Sequence, residues 1–261
     1  MNPKTLRLSV PALAVLSALC SCSVKEDRTE CPCCVTVMTE TDSQCLVCFF
    51  DGGTSLLDRK TMLPEELTSG DNFTDVRKGP LSVCVLQTSG DALVSGNHTV
   101  SCREGMEADP VYAWSVSTMA EGEELLVRSS LQKQYAGVTV YLAGDFPYDV
   151  RIESALGGLD LTGLSPTAGG GYSFRPQVED GTCRFRILRQ KDGEPIMLYS
   201  VDKEDGSVID SVDLNRYISR AGYNWAAASL DDISIALDYV KMTITVSIDE
   251  WSDSEVFTLF E

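Results

Sequence analysis

The stretch ISIALDYVKMTITVSI, residues 233–248, carries the clearest secondary-structure signal in the chain. It consists of two runs in which every second residue is apolar, separated by a short central turn. The apolar residues are Ile233, Ile235, Leu237, Met242, Ile244, Val246 and Ile248. Alternation over this length is typical of strands that bury one face and expose the other. We therefore predict two adjacent β-strands here, with one face on a core.

Similar but shorter strand patterns extend upstream, with turn signals every eight to twelve residues. Asp51-Gly52-Gly53 and Asp205-Gly206 are typical of hairpin turns. Only residues 214–221 show convincing helical spacing, and residues 89–109 and the glycine-rich residues 157–171 are predicted to be loops. The pattern predicts an all-β protein built as two β-sandwiches.

A break in the strand pattern at Gly144-Asp145-Phe146-Pro147 suggests a domain boundary. We place the N-terminal β-sandwich at residues 34–145 and the C-terminal β-sandwich at residues 146–261. Both are long enough to bury a sizeable core.

The N-terminus has the features of a bacterial lipoprotein signal. Lys4 and Arg7 precede an apolar run, residues 8–19, that is too short to cross a bilayer but suits a signal peptide. Ser21 supplies the small residue required next to a lipid-modified cysteine, Cys22. We predict a signal peptide at residues 1–21, lipid attachment at Cys22 and a polar tether at residues 22–33. The alternative is an ordinary secretory peptide that is cut elsewhere.

The formal net charge is −18, which excludes nucleic acid as a natural partner because the phosphate backbone would be repelled. The chain after residue 21 has no second long apolar run. Because each buried methylene contributes about 0.8 kcal/mol, two or three acyl chains on one cysteine would hold such a body durably on a membrane.

Eight cysteines remain after Cys20, which leaves with the signal peptide, and the lipid-bearing Cys22. They are Cys31, Cys33, Cys34, Cys45, Cys48, Cys84, Cys102 and Cys183. Three alternatives stay open: disulfides, which an exported protein can form, buried free thiols, and a metal site. Zinc is disfavoured because Cys45 and Cys48 are three residues apart in a strand-like run and would point to opposite faces.

The sequence offers little for catalysis, and we predict no catalytic residue, no metal and no cofactor. The one histidine, His98, lies in a polar loop, and no nucleophile elbow, HExxH motif or dinucleotide fingerprint is present. The carboxylate pair Asp231-Asp232 and the acidic residues 202–205 are better explained as a solvated loop and a turn.

The segment CSVKEDRTECPC, residues 22–33, resembles the start of the FimB/Mfa-type fimbrial anchor lipoproteins of Bacteroidales. In that family a lipid-bearing cysteine is followed by a Lys-Glu-Asp type run and then by an acidic residue and Cys-Pro-Cys. The helix at residues 214–221 and the motif Ile248-Asp-Glu-Trp251 are also similar. The chain departs from the family pattern in its additional cysteines and in its shorter length.

The resemblance implies two transthyretin-like β-sandwiches in a palmitate-bearing surface lipoprotein. Such a protein anchors a fimbrial stalk to the outer membrane, limits the length of the stalk and thereby serves cell adhesion. Its partners are the stalk subunit and, through the lipid, the outer membrane. The resemblance also implies that Lys25, Glu26 and Asp27 direct export to the cell surface.

In fimbriae of this type, subunits join by strand donation. Four apolar residues near the chain end, Val256, Phe257, Leu259 and Phe260, are therefore a candidate subunit-joining strand. The alternative is that this segment is the last strand of its own sandwich.

Two other functions stay open. A surface glycan- or protein-binding lipoprotein would show an exposed aromatic pair at one loop end, or a groove lined by Trp114 or Trp225. A hydrolase would show a buried trio of carboxylates in a cleft.

Overall fold

The computed structural model describes residues 31–88, 93–95, 98–144, 146–168, 171–249 and 254–259. The helices are α1 (Pro64–Ser69) and α2 (Leu214–Arg220). The strands are β1 (Cys33–Thr39), β2 (Cys45–Phe50), β3 (Leu56–Met62), β4 (Thr74–Val76), β5 (Gly79–Thr88), β6 (Leu93–Ser95), β7 (Thr99–Ser101), β8 (Val111–Ala120), β9 (Glu124–Ser129), β10 (Gln132–Lys133), β11 (Tyr135–Leu142), β12 (Asp149–Ser154), β13 (Gly158–Asp160), β14 (Pro166–Thr167), β15 (Tyr172–Phe174), β16 (Val178–Glu179), β17 (Thr182–Leu188), β18 (Ile196–Val201), β19 (Val208–Asp213), β20 (Ile233–Asp238), β21 (Thr243–Ile248) and β22 (Glu255–Thr258).

The alternating stretch at residues 233–248 folds as the antiparallel pair β20 and β21, in which Ile233 lies opposite Ile248. Ile233, Ile235 and Leu237 are buried, as are Ile244 and Val246 of the second strand. The predicted strand pair and its inward face are confirmed.

Five sheets are present in the described part of the chain. Sheet 1 has the order β4-β1-β9, and sheet 2 the order β10-β8-β5-β2-β3. Sheet 3 has the order β14-β13-β7-β6, sheet 4 the order β15-β12-β18-β19, and sheet 5 the order β16-β17-β11-β20-β21-β22. The all-β class predicted from the sequence is confirmed.

The sheets enclose three clusters of buried side chains. Sheets 1 and 2 contribute Val35, Val47 and Val83 to one cluster. Sheets 4 and 5 contribute a second and larger cluster that includes Ile152 and Ile235. The third cluster lies on the opposite face of sheet 2, where β7 and β13 of sheet 3 pack against it. The central strands β2 and β5 of sheet 2 are therefore buried on both faces.

Two pairings among the described strands are parallel. Strand β1 pairs with β9, and β11 pairs with β20. Strand β11 precedes the predicted domain boundary yet pairs with β17 and β20, which follow it, and β13 pairs with β7 across the same boundary. Strands from the two predicted domains therefore share sheets 3 and 5. The division into domains at residues 145 and 146 stays a prediction.

The loop predictions at residues 89–109 and 157–171 were wrong in part. The first contains β6 and β7, and the second contains β13 and β14. These strands have only two or three residues, which is too few for alternation to be recognised in a sequence.

The predicted helix at residues 214–221 is confirmed as α2. Asp213 lies at its N-cap, and the carboxylate Oδ1 accepts a hydrogen bond from the backbone N–H of Asn215 at 3.1 Å. An acidic N-cap satisfies backbone donors that a helix start leaves without partners.

A buried asparagine extends the ladder of sheet 1 beyond the three residues of β4. The backbone N–H of Val37 donates to Oδ1 of Asn72 at 2.9 Å, and Nδ2 of Asn72 donates to the carbonyl oxygen of Val37 at 2.8 Å. The side-chain amide thus forms the two hydrogen bonds that a neighbouring strand would otherwise supply to β1.

Candidate functional site

The predicted membrane-proximal residues lie outside the described part of the chain. They are the signal peptide at residues 1–21, the lipid site Cys22 and the export residues Lys25, Glu26 and Asp27. The described chain starts at Cys31, which is exposed, and Cys33 at the start of β1 is fully buried. No helix in the described ranges has the length and apolar character that crossing a membrane requires.

The candidate joining segment forms β22, the last strand of sheet 5. It pairs antiparallel with β21, so that Phe257 lies opposite Ile244 and Val256 opposite Thr245. This is the arrangement expected for the last strand of a resident sandwich. The joining role of the segment remains a prediction, and its fourth residue, Phe260, lies outside the described residues.

Side chains of β22 divide between the protein interior and the solvent. The Phe257 ring centroid lies 5.8 Å from that of Tyr217 on α2, and the Arg220 guanidinium lies 5.1 Å from the Phe257 centroid. Leu259 is buried, and its N–H donates to the carbonyl oxygen of Met242 at 2.9 Å. Val256 is 65% exposed, and Glu255 and Thr258 of the same strand are exposed as well.

The outer edge of β22 is the structural feature that suits a joining role. Sheet 5 ends at this strand, and no further described strand pairs with it. The outward-facing N–H and C=O groups of an edge strand can form a ladder with a strand from another chain.

A second candidate surface is a recess of about 250 Å³ at the turn between β20 and β21. We call it the aromatic recess. It is lined by Ala143, Gly144, Phe146, Pro147, Tyr148, Ser200, Ile209, Asp210, Tyr239 and Val240.

Aromatic rings form the floor and wall of the aromatic recess. Phe146 stacks on Tyr239 with a centroid distance of 5.9 Å, and its ring lies edge-on to Tyr148 at 5.5 Å. Tyr239 is fixed by Ser200, since the two hydroxyl oxygens are 3.3 Å apart. Val240 beside them is 87% exposed. These rings lie at one loop end, but Phe146, Tyr148 and Tyr239 are each half-buried. They therefore meet only in part the exposed aromatic pair that was predicted for a glycan- or protein-binding surface.

The two tryptophans named for a groove do not provide one. Trp225 is 3% exposed, and its Nε1 donates to Oδ1 of Asn215 at 2.7 Å. Trp114 is half-buried and packs against the cluster between sheets 1 and 2.

The carboxylates do not assemble as a hydrolase would require. Among the described residues no Asp or Glu side chain is buried, and a cleft of about 990 Å³ has Glu104 and Glu153 as its acidic lining residues. Asp232 accepts from Lys133 Nζ at 2.5 Å and from the N–H of Gly137 at 2.7 Å, so that it links two strands.

The remaining polar candidates also have structural roles. His98 lies 3.7 Å from Asp160, whose Oδ1 accepts from the N–H of Thr162 within a turn. Asp202 Oδ1 accepts from the N–H of Glu204 at 2.7 Å, which confirms the predicted turn before β19.

The eight cysteines in the described part of the chain are free thiols in this structure. Cys45 points into the cluster between sheets 1 and 2, whereas Cys48 points into the cluster under sheet 3. The predicted divergence of these two side chains is confirmed. No group of three metal-ligating side chains occurs within the described ranges.

The family model for the Fimbrillin-A associated anchor proteins Mfa1 and Mfa2 matches residues 107–254, more than half of the chain. The chain belongs to this family. The match covers β8 to β21 and includes the aromatic recess. Membership of this family associates the protein with fimbriae and the cell surface.

Solved structures share the fold of this anchor-family protein at low sequence identity. The fimbrial anchor protein Mfa2 from Porphyromonas gingivalis is 15% identical with a TM-score of 0.59, over 85% of this chain and 98% of that one. A candidate adhesin from Bacteroides ovatus is 14% identical with a TM-score of 0.57, over 92% and 99%. A candidate polysaccharide-binding protein from Bacteroides thetaiotaomicron is 13% identical with a TM-score of 0.57, over 89% and 99%. No curated protein sequence matches the chain.

Proposed function

We propose that this protein is a non-enzymatic surface lipoprotein that anchors a fimbrial stalk to the outer membrane and limits the length of the stalk. Membership of the anchor-protein family is the observation that carries the proposal. The lipoprotein signal that ends at Cys22 supplies the membrane attachment, and Lys25, Glu26 and Asp27 supply the export signal.

Attachment at Cys22 is tested by exchanging one cysteine at a time. Cys22→Ala should release the protein from the membrane fraction, because no acyl chain can then be attached at that position. Cys20→Ala is the matched control and should leave the protein membrane-bound. If Cys22→Ala stays in the membrane fraction and mass spectrometry finds no lipid on wild-type Cys22, the attachment proposal fails.

The joining site that we propose is the edge of sheet 5 at β22. Backbone groups on its outer edge would pair with a strand of the stalk subunit, and the exposed Val256 would contact the side chains of that strand. Among the described strands, only β21 pairs with residues 255–258. These residues could therefore also take part in the strand donation that the family resemblance implies.

Stalk retention on cells tests this joining site. Val256→Lys should reduce retention, because a lysine on an edge strand opposes strand addition. Val208→Lys is the matched control, since Val208 is also an exposed valine on an edge strand, β19 of sheet 4. Deletion of residues 252–261 should abolish retention, and retention that stays unchanged after this deletion excludes β22.

Stalk length, measured by electron microscopy, should increase in cells that lack the protein.

A second candidate function is glycan binding at the aromatic recess. The observation that favours it is the Phe146–Tyr148 ring pair beside exposed apolar residues, since aromatic faces stack on sugar rings. Phe146→Ala should abolish binding to a glycan array, whereas Tyr141→Ala, which changes an exposed tyrosine on β11, should not. An array with no ligand for the wild-type protein would exclude this function and leave the anchoring role intact.

A further inference from the structure

Cys48 and Cys84 face each other across two neighbouring central strands. Cys48 of β2 lies directly opposite Cys84 of β5 in the antiparallel register. Both side chains are on the same face of sheet 2, and both are fully buried in the cluster beneath sheet 3. The Cys48–Cys84 pair therefore combines adjacency with complete exclusion from solvent.

The strand geometry fits a covalent link between the two residues. Opposed residues of an antiparallel pair have Cα atoms about 4.5 Å or about 5.5 Å apart, depending on their hydrogen-bonding class. Disulfides span Cα separations of roughly 4.4–6.8 Å. The register thus meets the requirement on the Cα separation in either class.

The surroundings also suit a disulfide better than a metal. The buried neighbours of the pair in this cluster include Phe50, Leu86 and Leu159, all of which are apolar. Two sulfur atoms are too few for a structural zinc site, which takes four ligands. A disulfide has no polar hydrogen that requires a partner in such an environment.

We propose that Cys48 and Cys84 form a cross-strand disulfide in the exported protein. The oxidant is the disulfide of a thiol–disulfide oxidoreductase in the cell envelope. One cysteine thiolate attacks it to give a mixed disulfide and release one oxidoreductase thiolate, and the second cysteine thiolate then displaces the other. The protein pair loses two protons and two electrons, and the oxidoreductase disulfide is reduced to two thiols.

Burial determines when this reaction takes place. Exclusion from solvent raises the pKa of Cys48 to about 11, and burial places the pKa of Cys84 well above its usual range. Since the thiolate is the attacking species, neither residue reacts once sheet 3 covers the pair. The bond therefore forms while the chain folds, and the folded protein then protects it from small reductants.

Alkylation without reduction tests the proposed bond. Wild-type protein from the cell envelope is denatured in acid, treated with an alkylating reagent without reductant, and digested. We expect Cys48 and Cys84 to remain unlabelled and their peptides to be joined, until reductant is added. Labelling of both residues in the unreduced protein overturns the proposal, whatever the outcome for fimbrial anchoring.

Two variants identify which cysteines are joined. Both are alkylated after denaturation, so that incomplete folding does not obscure the result. Cys48→Ser should render Cys84 open to labelling. Cys45→Ser, on the opposite face of the same strand, should leave the joined peptides in place, and loss of the link in this variant would contradict the assigned pairing. Wild-type protein that is unfolded, reduced and refolded with reductant should have a Tm about 10 °C below that of the oxidised protein, and the same treatment should leave the Tm of a Cys48→Ser/Cys84→Ser variant unchanged.

Discussion

Arg189 donates from Nε to Oε1 of Gln134 at 2.9 Å in the interior of the protein. The same guanidinium donates to the carbonyl oxygens of Trp225 and Ala228, so that its three partners are neutral oxygen atoms. Burial lowers the pKa of Arg189. This network ties the loop between α2 and β20 to the start of β11.

Replacing Gln134 should therefore be costly. In Gln134→Leu the buried cation loses one of its acceptors, and we expect the free energy of unfolding to fall by about 2–3 kcal/mol. Urea denaturation measures the change. Gln177→Leu alters an exposed glutamine and should stay within about 0.5 kcal/mol of wild type. Equal effects of the two substitutions would show that the Arg189 network does not contribute to stability.

Asn72 should be intolerant of a charge. In Asn72→Asp the carboxylate can still accept from Val37, but both amide donors are lost and a negative oxygen faces the carbonyl oxygens of Val37 and Glu66. We expect a loss of about 3 kcal/mol in the free energy of unfolding. Asn224→Asp is the control, because exposed Asn224 uses only its Oδ1, as an acceptor from Ala226. If Asn72→Asp leaves the free energy of unfolding unchanged, the role of Asn72 in extending the ladder is refuted.

Gly137 of β11 allows Asp232 to approach closely. A Cβ at residue 137 would lie 2.7 Å from Oδ1 of Asp232, nearer than real contacts allow. Gly137→Ala should destabilise the protein by about 1 kcal/mol in thermal or urea unfolding, because the Asp232 carboxylate must move away and loses its hydrogen bond from the Gly137 N–H. Gly163→Ala has only one distant neighbour and should have little effect. Adding Asp232→Ala should remove most of the cost, and additive effects would rule out this contact as the cause.

Cys183 should make the protein sensitive to alkaline pH. Burial raises the pKa of its thiol to about 12, whereas the usual value is 9.0. Above pH 9 the unfolded state releases this proton and the folded state retains it. Stability therefore falls as pH rises from 9 towards 12.

The measurement is urea unfolding under reducing conditions at pH 9 and pH 10.5. Wild type should lose about 1–2 kcal/mol more than Cys183→Ala over this interval. Cys31→Ala, which changes an exposed cysteine, should behave as wild type. Parallel pH profiles for wild type and Cys183→Ala would contradict the prediction.

The longer strands could be predicted from the sequence because their alternation reports burial directly. For β20 and β21 the apolar positions coincide with the inward face. In β5, residues 81–86 are all buried, because sheet 3 covers the second face. Cys84 and Leu86 are apolar residues on that second face, which indicated that another layer covers it. No pattern in the sequence indicates which strands form that layer.

The pairing of distant strands was beyond sequence reasoning. Val140 lies beside Ile235 in a parallel pair, and Leu159 lies opposite Val100. These contacts depend on which apolar faces meet in three dimensions, and a single chain's local pattern does not encode that choice. The aromatic recess was missed for the same reason, since Phe146 and Tyr239 are far apart in the sequence.

Strand β1 occupies the middle of sheet 1 and begins two residues after the first described position. It is paired with β4 on one side and with β9 on the other. A pulling force applied at Cys33 along this strand loads the hydrogen bonds on both sides together, so that they must rupture as a group. At the edge of a hairpin, the same force would open one bond after another. In the proposed anchoring role, the position of β1 would therefore let hydrogen bonds on both of its sides share the load that a membrane tether transmits.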